Sequence, residues 1–429
     1  MLFIQQSIDL IETTKAQSLL VSMYGRDQLA AQKSRYQSLL KKYAEHYGDG
    51  QVRLFSAPGR SEIGGNHTDH NYGNVLAASI NLDTIAAAVA TDNGVITIIS
   101  EGYEGRTVID LQDLEVKSGE GGTAALIRGI AAGFVAKGFA VGGFTAYITS
   151  NVLSASGLSS SASFEMLVCT ILNSFYNDGL LDAVTISKIG QYAENKYWNK
   201  PSGLLDQMAC AYGGLIAIDF ENPEKPIIRP INYNFSEQEY SLVIVNTGGN
   251  HADLTEDYAA VPNEMRAVAN LLGASVCRQV TQEDIYQNLS AIRRQAGDRA
   301  VLRALHFFAE NNRVDEQVKA LQNNDFDYFL SLITESGNSS WKWLQNCYRD
   351  SDSHEQSITV ALAITESYLK SIGKGACRVH GGGFAGVILA IVPRESENEY
   401  TALINRTLGT STFVIQIREQ GAICLNDLM

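Results

Sequence analysis

The sequence predicts a two-domain α+β fold, and three observations carry that prediction. The chain has 429 residues, more than one typical hydrophobic core supports. Strand-like and helix-like stretches mix in both halves. The composition, 45% hydrophobic and 19% charged, is that of a soluble globular protein. The expected division is a helical extension over 1–48, an N-terminal domain over 49–220 and a C-terminal domain over 221–429, with the break at the Pro-rich, charged stretch 221–226.

Taken in order, residues 1–48 read as helical. Leu29, Tyr36, Leu39, Leu40 and Tyr43 recur at helical spacing before Gly48-Asp49-Gly50 stops the run. Residues 52–57 alternate like a strand that ends at Pro58-Gly59, and 59–73 read as a polar, turn-rich segment. Residues 75–82, 84–90 and 95–100 read as successive strands. Helices are expected over 123–137 and 180–199, the second stopped by Pro201-Ser202-Gly203. Strands follow at 215–220 and 240–246, then a mainly helical region from 261 to about 369, and strands at 376–380, 387–392 and 412–417.

Charge and cysteine usage exclude several classes. With 33 basic and 47 acidic residues the net charge is −14, which argues against sequence-independent nucleic-acid binding, since that needs basic surface. No apolar run reaches the length of a membrane span, so no membrane partner is expected. The first nine residues lack a basic start and a long apolar core, and do not read as a signal peptide. The six cysteines are scattered without a C-x-x-C pair, which fits a reducing, cytoplasmic setting.

Four segments could carry chemistry. Asn151–Ser163 is small and hydroxyl-rich, and lies between a strand-like and a helix-like run. It reads either as a phosphate cradle at a helix N-terminus or as a flexible Ser/Gly loop. Pro58–Asn71 gathers Arg60, Glu62, His67, Asp69 and His70, and reads as a site for a polyol, a metal site built on His67, Asp69 and His70, or a solvated turn. Asp206 is flanked by Leu204, Leu205, Met208 and Ala209, and is either paired structurally with a cation or poised as a base; Glu194 lies late in the preceding helix. Arg378–Gly386 satisfies G-x-G-x-x-G formally but leads into a β-rich run closed by Pro393. It therefore reads as a strand–turn–strand that passes close to a ligand, and not as a dinucleotide fingerprint. There is no G-x-x-x-x-G-K-[ST].

Together these segments resemble galactokinases, within the GHMP small-molecule kinases. The family's first motif, roughly P-G-R-V-N-L-I-G-E-H-T-D-Y-N-x-G, is matched by residues 58–73. Its G-L-S-S-S-A-S is complete at 157–163, its M-D-Q stands as Leu205-Asp206-Gln207, and its R-M-x-G-G-G-F-G-G stands at 378–386. The resemblance implies an N-terminal domain carrying the first two motifs, a ferredoxin-like C-terminal domain carrying the third, and an active site in the cleft between them. It implies that Ser156, Gly157, Leu158, Ser159, Ser160, Ser161 and Ala162 bind ATP, that Ser161 and Glu194 hold Mg²⁺, and that Asp206 is the catalytic base beside Arg60. Asn66, His67, Asp69, Gly203 and Tyr258 would contact the sugar, with Gly381, Gly382 and Gly383 as the glycine turn facing the cleft. Hard Mg²⁺ prefers oxygen ligands, and a sugar hydroxyl needs a nearby carboxylate to take its proton.

The chain departs from the family at Asn66, where the motif has glutamate, and at His70, where it has tyrosine. It departs again at Asn250, at the serine- and alanine-containing stretch 154–156, and in lacking an aromatic near the start of the helix at 123. The expected activity is an ATP-dependent sugar 1-kinase acting on galactose, as a monomer or weak homo-oligomer. The alternatives are a kinase for N-acetylgalactosamine, arabinose or another sugar, and a sensor that binds sugar and ATP without turnover.

Overall fold

The computed structural model describes residues 2–152, 157–200, 202–249 and 254–429. A short strand β1 (Leu2–Phe3) leads into α1 (Ile4–Ile11), α2 (Thr14–Tyr24) and α3 (Leu29–Tyr47). Their apolar faces, with Leu20, Tyr36, Leu39, Leu40 and Tyr43, pack on Leu54, Ile85, Ala87 and Tyr147 of the sheet beneath. Thr13 caps α2 by accepting from the Ala16 N–H, and Gly48, at φ 85°, ends α3.

The sheet is built on β2 (Gln51–Gly64) and β3 (Asn74–Thr91), followed by β4 (Val95–Ser100), β5 (Thr107–Asp110) and β6 (Gly143–Ser150). Its main order is β1-β2-β3-β6-β4-β5. Helix α4 (Gly122–Ala136) precedes β6. After β6 come α5 (Ser160–Tyr176), α6 (Ala183–Lys196) and α7 (Leu205–Tyr212), then β7 (Leu215–Asp219) and β8 (Ile227–Ile231). Helices α4 to α6 bury Ile127, Ile130, Met166, Leu167, Ile171 and Ile189 against Phe55, Ala86, Phe144 and Ile148 of the sheet.

Two strand expectations are corrected. The strand beginning at 51 does not stop at Pro58-Gly59 but runs to Gly64, with register shifts between Pro58 and Arg60 and between Glu62 and Gly64. Bulges let a proline without an N–H, and a glycine, sit inside a strand. At Gly59 a Cβ would lie 2.7 Å from the Leu158 carbonyl, and the next N–H, of Arg60, donates to that same oxygen at 3.1 Å. Arg60 and Glu62 therefore stand on a strand and not in a turn. The stretches 75–82 and 84–90 form one strand, β3, which pairs with β7 along its first part and with β6 along its second.

What keeps β3 continuous is the treatment of Asp83, a fully buried carboxylate at its centre. Arg35 of α3 reaches Oδ1 at 2.6 Å and the Asp83 carbonyl at 2.9 Å. Arg418 reaches Oδ2 at 2.9 Å, where Tyr24 and Ser56 also donate. Burial alone would raise this carboxyl, but the two guanidinium groups and the hydroxyl donors hold it below its ordinary value.

The chain crosses to a second sheet between Ile231 and Tyr240. Strand β9 (Tyr240–Asn246) is followed by α8 (Thr255–Leu271), α9 (Gln282–Gln287), α10 (Leu289–Ala296), α11 (Asp298–Gln322) and α12 (Phe326–Ser339), which ends in a π-helical turn at Ser340–Leu344. Then come α13 (Ser357–Ile372), β10 (Ala376–His380), β11 (Val387–Pro393), α14 (Glu397–Leu408) and β12 (Thr412–Ile415). Among the described residues this sheet has four strands, ordered β10-β11-β9-β12 and antiparallel throughout. Numbered within the sheet from β9, that is the 4-1-3-2 arrangement of a ferredoxin-like fold.

The chain then returns to the first sheet, where β13 (Ile423–Cys424) pairs with β2. On the way it passes under α7. Gly213, at φ 93°, ends that helix so close to residues 419–421 that a Cβ would lie 2.2 Å from the Glu419 carbonyl. Among the described residues no helix is long and apolar enough to cross a membrane. All six cysteines are buried and unpaired.

Candidate active site

A cleft of about 800 Å³ runs between the two sheets. Its walls come from β2, from the turn after β2, from the start of α5, from the stretch around α7, and from the turn joining β10 to β11. The sequence separates these residues widely, and the fold brings them together.

Asp206 lies in the first turn of α7, where the helix dipole favours a negative charge. Its Oδ1 accepts from Arg60 Nε at 2.8 Å, and its Oδ2 accepts from the Ser159 hydroxyl at 2.5 Å. Arg60 is fixed in turn, because its Nη1 donates to the Gly157 carbonyl at 2.5 Å. Burial works against the charge on Asp206, but Arg60, Ser159 and Lys200 outweigh it and hold the carboxyl below its ordinary value. The side chain is 29% exposed and faces the cleft. It is an ionised, oriented carboxylate in contact with solvent space.

The serine-rich loop meets this group from one side. Ser159 is the N-cap of α5 and takes φ 59°, a left-handed conformation unusual for a residue with a side chain. The first bond into the helix runs from the Ser163 N–H to the Ser159 carbonyl, so the N–H groups of the first turn are free of helical acceptors and open to an anion. Ser159, Ser160, Ser161 and Gly157 line the cleft. Leu158 and Ala162 are fully buried in the two hydrophobic cores below the loop, so their side chains anchor it. Ser156 lies outside the described residues, as do the rest of 153–156 and Asn250.

Ser161 and Glu194 also meet. The Ser161 hydroxyl donates to Glu194 Oε1 at 3.0 Å. The Lys200 ammonium lies 2.6 Å from the same oxygen and 3.3 Å from the hydroxyl. Glu194 Oε2 accepts from Gln207 at 3.0 Å, and Gln207 also donates to Glu165 at 2.9 Å. Glu165 is wholly buried, and burial followed by the nearby charge of Glu194 raises its carboxyl well above the ordinary value. Gln207, bridging the two carboxylates, fixes the orientation of Glu194.

On the other side of Asp206, the turn after β2 is tied to the glycine turn. His67 Nε2 faces the Gly382 carbonyl at 2.9 Å, and Tyr258 donates to the Gly383 carbonyl at 3.2 Å. Burial, with His70 next, lowers the His67 pKa to about 3, so the ring is neutral and donates. Gly382 is small of necessity, since a Cβ there would lie 2.3 Å from the Tyr258 ring. Asp69 packs against Gly203, where a Cβ would lie 1.7 Å from its carboxylate. His67, Asp69, Gly203, Tyr258, Gly381, Gly382 and Gly383 all line the cleft.

Asn66 is the exception. It is fully buried behind the turn and is not in the cleft wall. Its amide nitrogen donates to Glu62 at 2.9 Å and to the Gly381 carbonyl at 2.7 Å, and its oxygen accepts from Ser340 and Asn346. Every hydrogen-bonding position of the side chain is therefore spent on protein. The reason stands four residues earlier. The family motif has asparagine where this chain has Glu62, and glutamate where this chain has Asn66, so the carboxylate and the amide have changed places. Glu62 lines the cleft, and among the described residues the hydrogen bonds of its carboxylate, from Asn66 and from Arg378 at 2.5 Å, both fall on Oε1. Sequence reasoning noted the loss at Asn66 and missed the gain at Glu62, although the same motif displays both.

Two further cleft residues were missed. His380 Nε2 accepts from the Glu62 N–H at 3.2 Å, which puts the ring hydrogen on Nδ1, beside Gly157. Trp198, just after α6, lies against Gly121 at the N-terminus of α4 and lines the cleft. An aromatic side chain thus stands beside the start of α4 from another element, and no local pattern could show that.

Comparison with known proteins identifies the family and the fold. Residues 41–90 match the galactokinase galactose-binding signature, and residues 125–214 match the N-terminal domain of GHMP kinases. The galactokinase of Actinobacillus pleuropneumoniae serotype 5b is 31% identical over 82% of this chain and 88% of that protein. The galactokinase of Clostridium tetani is 28% identical over 83% of this chain and 88% of its own length. Among solved structures, Lactococcus lactis galactokinase complexed with galactose superposes with a TM-score of 0.79 at 27% identity, covering 91% of this chain and all of that one. A mevalonate kinase structure, at 17% identity and a TM-score of 0.60, shares the fold. With an ionised aspartate held by arginine beside an open helix end, and relatives similar over most of their length, this chain belongs to the galactokinase family of GHMP kinases.

Proposed function

We propose that the protein is an ATP-dependent sugar 1-kinase that transfers the γ-phosphoryl group of ATP to the anomeric hydroxyl of galactose, giving galactose 1-phosphate and ADP. The observation that carries this reading is Asp206, ionised and oriented by Arg60 and Ser159 at the junction of the serine loop and the His67–Asp69 turn. In this reading His67, Asp69, Tyr258 and the backbone at Gly203 hold the sugar. Asp206 takes the proton of the anomeric hydroxyl as that oxygen attacks phosphorus. Arg60 keeps the carboxylate ionised and adds positive charge near the transferring group. The first turn of α5 cradles the phosphates, and Trp198 offers an aromatic face for the base. Phosphoryl transfer demands this kind of positioning and charge neutralisation from a protein.

The residues also suit Mg²⁺. Ligand distances of about 2.0–2.1 Å put neighbouring octahedral ligands roughly 3 Å apart, and Ser161 Oγ and Glu194 Oε1 are 3.0 Å apart with an ammonium already beside both. We assign these two residues to the ion, which when bound would neutralise phosphate charge. The boundary between the two domains is proposed to fall between Ile231 and Tyr240, where the chain changes sheets.

A coupled ADP-release assay over a sugar panel tests the activity, with turnover on galactose expected. Binding of sugar and ATP without any sugar phosphate would make the protein a sensor. The exchange at Glu62 and Asn66 favours a second reading, in which N-acetylgalactosamine, arabinose or another sugar is preferred. Restoring the family order, with Glu62→Asn and Asn66→Glu in one chain, keeps a carboxylate in the same neighbourhood as Arg378. It is expected to change the ratio of kcat/KM between galactose and the other panel sugars by about tenfold or more. An unchanged ratio would mean that the carboxylate's position does not read the sugar. Gly203→Ala should displace Asp69 and lower kcat/KM for the sugar by about 10²-fold, with the KM for ATP unchanged; equal loss for both substrates would argue against Asp69 as a sugar contact.

A further inference from the structure

Glu194 is a carboxylate with almost no access to water. Its side chain is 2% exposed, and its neighbour Glu165 is a second buried acid. A buried carboxylate is costly without a cation beside it. The cation here is Lys200, whose ammonium lies against both Glu194 Oε1 and the Ser161 hydroxyl, the two oxygens assigned above to the metal.

Lys200 is built differently from its partner. Its side chain is 50% exposed, and its ammonium also lies over the Trp198 ring at 5.1 Å from the centroid. It stands just past the end of α6, after Asn199 at φ 55°. Half of its side chain is free of packing, so it can swing away once another cation stands beside Glu194, which burial and Gln207 hold in place. A divalent ion and an ammonium cannot both occupy the space against Oε1, because like charges at that separation repel strongly. When one enters the other must go, and the cleft that Lys200 lines is where the phosphates of a nucleotide would lie.

We propose that Lys200 is a placeholder cation, which neutralises the Ser161–Glu194 pair in the free protein and, when a divalent ion takes that position, passes its ammonium to the nucleotide phosphates. This rests on the assignment of Ser161 and Glu194 to the metal. The pair is therefore kept charge-balanced through the whole cycle, and free divalent ion binds weakly until it arrives with a nucleotide that gives Lys200 a new partner.

The test uses Mn²⁺ as the probe, titrated into the full-length, nucleotide-free protein and followed by electron paramagnetic resonance. Lys200→Met is expected to tighten Mn²⁺ binding at least about tenfold, and Glu194→Gln in the same background should remove that gain. Affinity for the Mg²⁺ complex of a non-hydrolysable ATP analogue should fall in Lys200→Met, measured by calorimetry. Lys200→Arg, which keeps a cation and guards against a folding defect in the methionine variant, should leave Mn²⁺ binding as weak as in the parent. Unchanged Mn²⁺ affinity in Lys200→Met, or equal tightening in Lys200→Arg, would overturn the placeholder role while leaving the metal assignment standing. Mn²⁺ binding that is indifferent to Glu194→Gln in the parent chain would instead remove the metal assignment, and the placeholder with it.

Discussion

Asp206→Asn is expected to lower sugar-dependent turnover by about 10²–10⁴-fold, the range over which a positioned general base contributes, while ATP binding stays close to that of the parent. The amide keeps the shape of the side chain and can still accept from Arg60 or Ser159. It cannot receive a proton from a sugar hydroxyl, and it leaves the Arg60 guanidinium facing a neutral group in a nearly buried site. ADP release measured beside calorimetric ATP binding separates the two effects, and unchanged turnover would remove Asp206 from the role of base. The pH dependence has a definite sign. Arg60 and Ser159 hold the carboxyl below its ordinary value, so it is fully ionised at neutral pH. Activity carried by Asp206 should stay level through the neutral range as far as this group is concerned, and fall only in acid. Its contribution to stability follows the same direction, being complete above the unfolded-state pKa and lost as pH drops through the folded one.

The largest stability effect is expected at Asp83. Asp83→Ala leaves Arg418 wholly buried and Arg35 nearly so, both without their carboxylate, and strips an acceptor from Tyr24 and Ser56. Removing one member of a buried ion pair costs about 3–5 kcal/mol, and urea denaturation followed by tryptophan fluorescence should show a shift of that order. A loss below about 1 kcal/mol would mean that water relieves the two guanidinium groups and that the network matters little.

The strands of the second sheet were easy to read in the sequence, because their apolar positions repeat within a few residues of each other. The stretches 240–246, 376–380 and 387–392 emerged as β9, β10 and β11 with ends moved by a residue at most. The first sheet was harder. Pro58-Gly59 is a strong stop signal when read locally, yet the strand continues, because Leu158, a hundred residues on, offers its carbonyl to the Arg60 N–H. An aspartate at position 83 looks like a break between strands until Arg35 and Arg418 are known to reach it. At the site, the motifs placed Arg60, Asp206, Ser161 and Glu194 in the cleft lining or beside it. The motifs did not show that Asn66 faces away from the cleft, nor that Trp198 and Lys200 come to stand where base and metal are expected. Those depend on how separate elements meet, and no spacing along the chain encodes it.

The passage of residues 418–424 beneath α7 bears on the order in which the molecule can be assembled during synthesis. Asp83 leaves the ribosome 335 residues ahead of Arg418, and the helix that carries Asp206 ends on the backbone of Glu419. Until that segment emerges, the first sheet lacks β13, and the buried carboxylate has the Arg35 cation and its hydroxyl donors but not Arg418. The floor beneath α7 is also missing. A nascent chain therefore carries Arg60 and Asp206 well before the segment that supports β2 and α7 has emerged to hold them in place.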